Sequence, residues 1–199
     1  MEKTADSTFT DIEIKKIQSA KKARQPQWFV MRDLKRSNAK QPAYKILGDM
    51  NIKVFTPMVW KLSVQQGKKI RRQVPFMQDL LFVRESRHIL DPIVERFSTF
   101  QYRYLKGGYQ IPMTVKDCDM ERFIKAVEAT DNPCFYTPDE ITEQMIGRKV
   151  RIIGGPMNGY EGHLQKLKGS RIKRLFVELP NFLSAAIEVN PEFIQIIKE

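Results

Sequence analysis

A glycine- and proline-rich turn near the C-terminal end constrains the fold of this chain more than any other segment. The run Gly154-Gly155-Pro156 follows an alternating apolar stretch, and Gly162 comes shortly after it. Glycine takes positive φ without a steric penalty, proline presets φ for a turn, and a glycine inside a strand lets that strand bend tightly. These residues predict two short strands that are joined by a tight turn and curl over each other.

Short strands with tight turns between them fill the whole C-terminal segment. The pattern of β-branched and aromatic residues predicts strands at 149–153, 161–167, 175–179, 185–189 and 193–197. So many short strands within residues 146–199 predict a small five-stranded β-barrel. The stretch before it, residues 132–145, contains Pro133, Pro138 and several acidic residues, which predicts a linker between domains.

Residues 26–131 mix strand and helix patterns. The apolar run 28–31 predicts a buried strand, and Ala43, Ile46, Leu47 and Met50 have the spacing of one helix face. Two strand patterns, 52–64, interrupted or edged at Pro57, and 70–83, flank a turn at 65–69 and predict a long hairpin with a basic tip.

The rest of this segment predicts a short helix at 88–97 entered through Asp91-Pro92, a strand at 100–105 and a helix through Met120 and Phe123. The order β-α-β-β-α-β-α indicates an α+β domain with helices on an antiparallel sheet. Residues 1–25 have no strong periodicity and are predicted to be a flexible tail.

The net charge of +11 is concentrated in one part of the chain. Residues 26–131 contain 19 basic and 11 acidic residues, whereas the rest is nearly balanced. A basic surface there predicts contact with nucleic acid. A soluble basic domain without such a partner is the alternative that charge alone leaves open.

Several functional classes find no support in the sequence. No run approaches the roughly 18 apolar residues of a membrane helix, and the first ten residues lack the pattern of a secretory signal. Cys118 and Cys134 make neither a disulfide framework nor a metal clip, so we expect a reducing cytoplasm. His88 and His163 are far apart, and no phosphate-binding loop or nucleophile elbow is present. We therefore expect no catalytic site, no metal and no cofactor, and a protein that is not an enzyme.

Two segments carry a resemblance to a known family. Residues 147–164, which read GRKVRIIGGPMNGYEGHL, resemble a KOW motif. The run Trp28-Phe29-Val30-Met31, the following helix, the basic hairpin and Leu80-Leu81-Phe82-Val83 resemble the N-terminal domain of NusG in order and spacing. Residues 26–199 as a whole are similar to the NusG family of bacterial transcription elongation factors, with an N-terminal domain at 26–131 and a KOW domain at 146–199.

Within that family the chain looks similar to a specialised branch. Housekeeping members carry Phe-Pro-Gly-Tyr where this chain has Met77-Gln78-Asp79-Leu80, and residues 181–188 depart from the family's Phe-Gly-Arg-x-Thr-Pro-Val-Glu segment. These departures, with 111–112 and 120–123, resemble the UpxY branch, whose members are antiterminators of capsular-polysaccharide operons.

The resemblance implies a site for RNA polymerase. The N-terminal domain would grip the clamp helices of the largest polymerase subunit through an apolar patch. By position, the patch residues are Trp28, Phe76, Met77, Leu80 and Phe82. Strand alternation means that these side chains cannot all point the same way, so a role in core packing stays open for each of them.

Basic side chains supply the candidates for other partners. Contacts to upstream DNA, the non-template strand or nascent RNA are predicted at Arg32, Lys35, Arg36, Lys68, Lys69, Arg71, Arg72 and His88. In the KOW domain, binding of RNA or a ribosomal protein is predicted at Lys166, Lys168, Arg171, Lys173, Arg174 and Phe182. Solvated surface loops are the alternative for both sets.

Two other functions remain in competition. A KOW-type RNA-binding or ribosome-associated protein would bind structured RNA and not polymerase, but it would not need the α+β domain before the linker. A housekeeping NusG would act on most genes, and the missing Phe-Pro-Gly-Tyr segment argues against it.

Overall fold

A computed structural model describes residues 25–197 apart from 36–40, 66, 167, 168, 170 and 171. The predictions made for the tail, Arg36, Lys168 and Arg171 lie outside the described residues. The described part forms two compact units: one holds the residues up to Val54 and Leu81–Thr114, and the other holds Phe55–Leu80 and the residues from Val115 onward. The domain boundaries inferred from the sequence differ from this division and stay a prediction.

The helices and strands follow the chain in a simple order. The helices are α1 (Ala43–Asp49), α2 (Arg87–Arg96) and α3 (Asp117–Glu128). The strands are β1 (Gln27–Asp33), β2 (Lys53–Phe55), β3 (Met58–Gln65), β4 (Lys68–Pro75), β5 (Leu81–Glu85), β6 (Phe100–Tyr102), β7 (Thr114–Val115), β8 (Cys134–Tyr136), β9 (Ile146–Ile152), β10 (Glu161–Gln165), β11 (Arg174–Leu179), β12 (Leu183–Glu188) and β13 (Ile194–Ile196). No helix in the described ranges is long and apolar enough to cross a membrane.

The first unit is built on an antiparallel sheet in which β1 is central. The strand order is β2-β5-β1-β6, with β7 also paired to β1. Phe29 and Met31 of β1 pack with α1 and α2 in one core cluster, and alternation puts Trp28 and Val30 on the other face, where they are also buried. A strand that is buried on both faces needs a continuous apolar run, which residues 28–31 provide. The buried strand predicted there is therefore confirmed.

A buried carboxylate joins β1 to the start of α1. Asp33 is 6% exposed and accepts hydrogen bonds from the backbone N–H of Ala43 at 2.7 Å and of Lys35 at 3.0 Å. The residue before the helix, Pro42, has no side-chain donor or acceptor, so Asp33 satisfies an N–H group that the helix leaves unpaired. The predicted helix from Ala43 is confirmed.

The predicted entry of the second helix through Asp91-Pro92 is wrong. The helix begins at Arg87 and contains Pro92 in its interior. Leu90, fully buried, and Ile93 pack against the core at helical spacing, so the turn before the proline is needed to bring Leu90 inward. Proline removes one helical hydrogen bond here, and the core packing on either side of it offsets that loss.

The second unit contains the predicted long hairpin. β3 and β4 pair from Met58 with Pro75 to Gln65 with Lys68. The second predicted strand, 70–83, is divided, because a turn at 76–80 separates β4 from β5. In this turn the backbone N–H of Phe76 donates to the carbonyl of Pro57 at 2.7 Å.

The C-terminal strands form an antiparallel sheet in the order β13-β9-β10-β11-β12-β8. All five predicted strands are present as β9 to β13. The sixth, β8, lies in the segment predicted to be a linker and pairs with β12, with Phe135 opposite Ala185. Among the described residues β13 and β8 are not paired with each other, so closure of the sheet into a KOW barrel stays a prediction.

Glycines permit the tight curl of this sheet. Gly154 and Gly155 have φ values of +108° and +64°, as the turn prediction requires. Gly162 lies so close to β11 that a Cβ placed on it would lie 2.4 Å from the carbonyl oxygen of Phe176. The glycine in β10 is therefore required by the close approach of two strands.

Candidate functional site

The hairpin β3–β4 has two faces of different chemistry. In an antiparallel pair, residues directly opposite each other lie on the same face. Register pairs Val64 with Lys69, Leu62 with Arg71 and Trp60 with Gln73. We call the face made by these three pairs the platform face. It carries an apolar track on β3 (Val64, Leu62, Trp60) beside a basic track on β4 (Lys69, Arg71).

The apolar track is open to solvent. Leu62 is 75% exposed, Val64 is 69% exposed and Trp60 is 44% exposed. Three neighbouring apolar side chains that the fold leaves uncovered form the kind of patch that marks a binding surface.

The hairpin is strongly basic. Residues 58–75 contain five basic residues and no acidic residue. Lys68, Lys69, Arg71 and Arg72 are all exposed, in line with the basic tip predicted from the sequence, and Lys61 is exposed as well. The positive potential of this segment is therefore available to an anionic partner.

Arg71 holds the middle of the platform face in a defined position. Its Cζ lies 4.5 Å from the centroid of the Trp60 ring, in cation–π geometry. Its Nη2 donates a hydrogen bond of 2.9 Å to Oδ1 of Asn132, in the loop after α3. No local sequence pattern signals this contact, because the two residues are far apart in the chain.

Two clefts meet at this arginine and share Met58, Trp60, Arg71, Asn132 and Pro133. One, of about 610 Å³, is also lined by Glu128 and Asp131. The other, of about 370 Å³, is also lined by Leu62 and Arg174. The platform face thus runs from the hairpin tip into a cleft region with an acidic side and a basic side.

The other predicted nucleic-acid residues lie in the first unit. Arg32 and His88 are exposed. Lys35 is half-buried: its Nζ donates to the carbonyl of Gln41 at 2.9 Å and lies 5.8 Å from the ring centroid of Phe100. The ammonium of Lys35 is thus already engaged within its own unit.

Three of the residues predicted to contact polymerase are core residues in this structure. Trp28 and Phe82 are fully buried and Leu80 is 3% exposed, so they present no side-chain surface to a partner. The physical reason for Trp28 is that both faces of β1 are covered. Phe76 and Met77, in the turn after β4, are half-buried. The Phe76 ring centroid lies 5.5 Å from that of Phe135 in β8.

Only some of the residues predicted as the KOW partner site are exposed and outside ion pairs in the part of the chain that the structure describes. Lys166 and Lys173 are exposed and Phe182 is half-buried. Arg174 forms an ion pair of 3.2 Å with Glu188 across β11 and β12, which uses part of its charge within the sheet.

A cluster that sequence reasoning missed joins α3 to β10. The Tyr160 hydroxyl donates to the backbone carbonyl of Arg122 at 3.0 Å, and Arg122 Nη2 donates to the carbonyl of Glu161 at 2.6 Å. The Glu161 carboxylate accepts a bond of 2.7 Å from Arg151, whose guanidinium lowers the pKa of Glu161. Burial raises the pKa of Tyr160. In two of these hydrogen bonds the donor and acceptor residues are 38 or 39 positions apart in the sequence, so no local sequence pattern predicts them.

No group of His, Cys, Asp or Glu suited to a metal ion occurs within the ranges that the structure describes. Cys118 is exposed and Cys134 is half-buried, and both are free thiols.

Comparison with known proteins gives a family for the N-terminal part. Residues 26–124, just under half of the chain, match the sequence model of the family described as "Transcription termination factor nusG". The chain therefore contains a NusG-family domain. None of the curated proteins matches the chain.

A solved structure described as "Domain interaction in Thermotoga maritima NusG" is similar to the chain as well. The similarity covers 88% of this chain and 99% of that chain, at 16% sequence identity and a TM-score of 0.46.

Proposed function

We propose that this protein is a transcription elongation and antitermination factor that binds bacterial RNA polymerase through its NusG-family domain. The observation that carries the proposal is the family match over residues 26–124, which includes β1, the hairpin and most of α3. The protein acts in the cytoplasm by binding, without a cofactor and without catalysis.

Polymerase contact is assigned to the turn that follows β4. Of the five residues predicted for the clamp-helix patch, Phe76 and Met77 retain some exposure, whereas Trp28, Leu80 and Phe82 are buried. An apolar contact with a polar surround is the composition of a protein–protein hot spot. The three buried side chains then act by packing in the core and not by contact with polymerase.

The basic hairpin is assigned to nucleic acid in the elongation complex. Lys68, Lys69, Arg71 and Arg72 are exposed, and no acidic side chain in residues 58–75 competes with a phosphate for them. Lys and Arg contacts of this kind position a protein on the backbone without reading its sequence. Upstream DNA, the non-template strand and nascent RNA are the available ligands.

A specialised role on a capsular-polysaccharide operon is proposed from the departures at 77–80 and 181–188. The second departure covers the end of the turn between β11 and β12, where Asn181 has a φ of +67°, and the whole of β12. Asparagine tolerates this backbone conformation better than most residues. The exposed Lys166 and Lys173 are the side chains proposed to meet RNA or a ribosomal protein.

The test is capture of purified core RNA polymerase by the full-length protein. We expect the wild type to capture polymerase and Met77→Asp to lose most of that capture, because a charge is placed in an apolar contact. Ile153→Asp is the matched control, since Ile153 is 51% exposed and lies after β9. It should capture polymerase as well as the wild type does.

Failure of the folded wild type to capture polymerase would overturn the proposal. If that protein bound structured RNA tightly instead, the function would be that of a KOW-type RNA-binding or ribosome-associated protein. Equal loss in both aspartate variants would remove the assignment of the turn at 76–80.

A further inference from the structure

We propose that the two clefts beside Trp60 bind a free guanine mononucleotide, with the base in the larger cleft and the phosphates in the smaller one. Every residue that lines these clefts belongs to the second compact unit. Their volumes, about 610 and 370 Å³, fall within the roughly 300–1,000 Å³ of sites for small organic ligands. Such a ligand goes beyond the proposed function, which concerns polymerase and polynucleotides.

Trp60 supplies a surface for the base. It lines both clefts and is 44% exposed. The Cζ atom of Arg71 lies 4.5 Å from the centroid of the Trp60 ring, and Nη2 of Arg71 donates to Oδ1 of Asn132 at 2.9 Å. Nucleobases stack on aromatic rings and on guanidinium planes. The Trp60–Arg71 pair is thus a stacking surface that the fold holds in place before a ligand binds.

The acidic side of the larger cleft selects among the bases. Glu128 and Asp131 line it, and no hydrogen bond or ion pair within the described part of the chain engages their carboxylates. An ionised carboxylate only accepts hydrogen bonds. Guanine has two adjacent donors on its Watson–Crick edge, N1–H and the N2 amino group, whereas each of the other bases has one donor group beside an acceptor. The two carboxylates therefore favour guanine.

The smaller cleft suits the phosphates. Arg71 and Arg174 line it, and none of its lining residues among those described is acidic. Nη2 of Arg174 donates to Glu188 at 3.2 Å, but Nε of Arg174 has no hydrogen-bond partner in the described ranges. Guanidinium groups bind phosphate oxygens through paired N–H donors. A phosphate in this cleft would therefore use a donor that the sheet does not use.

A second polar atom without a partner belongs to the wall of the larger cleft. Thr56 lines this cleft, and its Oγ1 is buried with no hydrogen-bond partner among the residues that the structure describes. A buried polar atom without a partner is destabilising, and such atoms are rare in folded proteins. Each cleft therefore has one polar atom for which a bound nucleotide would supply a partner.

The distribution of charge favours a mononucleotide over a polynucleotide. In a strand each nucleoside carries a phosphate on its 5′ side and another on its 3′ side, so one of the two would approach Glu128 and Asp131, which repel it. A 5′-mononucleotide has all its phosphates on one side and a ribose hydroxyl on the other. A free nucleotide therefore matches two clefts of opposite charge, whereas a strand does not.

Binding of GTP to the full-length protein tests the inference. Trp28 is fully buried, so Trp60 is the indole that GTP can reach, and stacking of the base should quench its fluorescence. ATP and UTP carry the same triphosphate and are the matched ligands. In isothermal titration calorimetry we expect GTP to bind about tenfold to a hundredfold more tightly than either, as for a two-point contact to a base edge.

A double variant tests the acidic side of the site. Glu128→Gln with Asp131→Asn removes both carboxylates, so GTP and ATP should bind with about the same affinity. Glu121→Gln is the matched control, because Glu121 is exposed in α3 and lines neither cleft, and it should keep the preference for GTP. Melting curves by circular dichroism check that the variants remain folded.

The phosphate side is tested with a ligand that lacks phosphate. GTP should bind about tenfold or more tightly than guanosine, because it adds charge-assisted hydrogen bonds. Arg174→Gln should remove most of that difference and leave guanosine binding unchanged. The control is the double variant Lys68→Gln with Lys69→Gln, at the hairpin tip and outside both clefts, which should bind GTP as the wild type does.

Absence of GTP binding, or equal affinities of the wild type for GTP, ATP and UTP, would overturn the inference. Equal loss of GTP binding in the Lys68 and Lys69 double variant and in Arg174→Gln would also overturn it, and would leave only a basic hairpin that attracts anions. A guanine-containing RNA of about 12 nucleotides, a length typical of strand sites, should displace GTP only weakly. Displacement at a lower concentration than GTP itself requires would assign the clefts to polynucleotides and contradict the inference.

Discussion

A hydrogen bond and a cation–π contact join Tyr160 to Arg122. The Tyr160 hydroxyl donates to the backbone carbonyl of Arg122 at 3.0 Å, while the Arg122 guanidinium lies 5.1 Å from the centroid of the Tyr160 ring. Arg122 also donates to the carbonyl of Glu161. These contacts fasten α3 to the start of β10, and each of them can be removed separately.

Removing the Tyr160 hydroxyl should destabilise the protein by about 1 kcal/mol, the usual net value of one hydrogen bond. Tyr160 is only 7% exposed, so in Tyr160→Phe the Arg122 carbonyl loses a partner at a site with little access to water. Urea unfolding measures the change. Tyr109→Phe is the matched control, because Tyr109 is 88% exposed, and its free energy of unfolding should equal that of the wild type. An equal effect of the two substitutions would contradict the role of the hydroxyl.

Asp33→Ala should lower the free energy of unfolding by about 1–3 kcal/mol, because it leaves two backbone N–H groups without their acceptor. Asp49 provides a control in the same helix. It is exposed near the C-terminal end of α1, where a negative charge opposes the helix dipole. Asp49→Ala should therefore be neutral or slightly stabilising in the same urea measurement. If Asp33→Ala and Asp49→Ala lowered the free energy of unfolding by nearly the same amount, Asp33 would not support the start of α1.

Two glycine substitutions should have opposite signs. Gly162→Ala places a Cβ against the carbonyl of Phe176 and should destabilise by about 1–3 kcal/mol. Gly48 lies in α1, and the position that a Cβ would take there has nothing within 4 Å, so Gly48→Ala should stabilise by about 0.5–1 kcal/mol. Thermal unfolding of both variants measures the difference, and a tolerated Gly162→Ala would contradict the close approach of β10 and β11.

The carboxyl group of Glu161 should titrate below the usual range of a glutamate. A hydrogen bond from Arg151 stabilises the ionised form and lowers the pKa. A lowered pKa in the folded state means that this contribution to stability is present above the unfolded pKa and is lost as pH falls through the folded pKa. Carbon-13 NMR titration of Glu161 measures the pKa directly. Arg151→Gln should return it towards the ordinary value, and an unchanged pKa would exclude Arg151 as the cause.

Local patterns predicted most of the strands but neither β7 nor β8. The five strands β9 to β13 carry alternating or β-branched residues between turn residues, which is a signal within each segment. Cys134–Tyr136 is three residues long and lies between Pro133 and Pro138, a composition typical of a linker. Its strand conformation depends on pairing with β12, about fifty residues later, and no local pattern contains that information.

Only part of the candidate site could be predicted from the sequence. The basic tip was visible because its charges are neighbours in sequence. The platform face was not, because it depends on the register that sets Leu62 opposite Arg71. Trp28 and Phe82 were ambiguous for a different reason: alternation tells which side chains share a face of β1 and β5, but not whether that face is covered.

The most direct test of the central claim is binding of the full-length protein to a halted elongation complex, assembled from core RNA polymerase on a synthetic DNA–RNA scaffold. The same scaffold without polymerase is the comparison. Binding that is much tighter when polymerase is present, and that is lost in Met77→Asp but not in Ile153→Asp, is the predicted result. Equal binding to the complex and to the bare scaffold would contradict the account, and would identify a nucleic-acid-binding protein that does not act on polymerase.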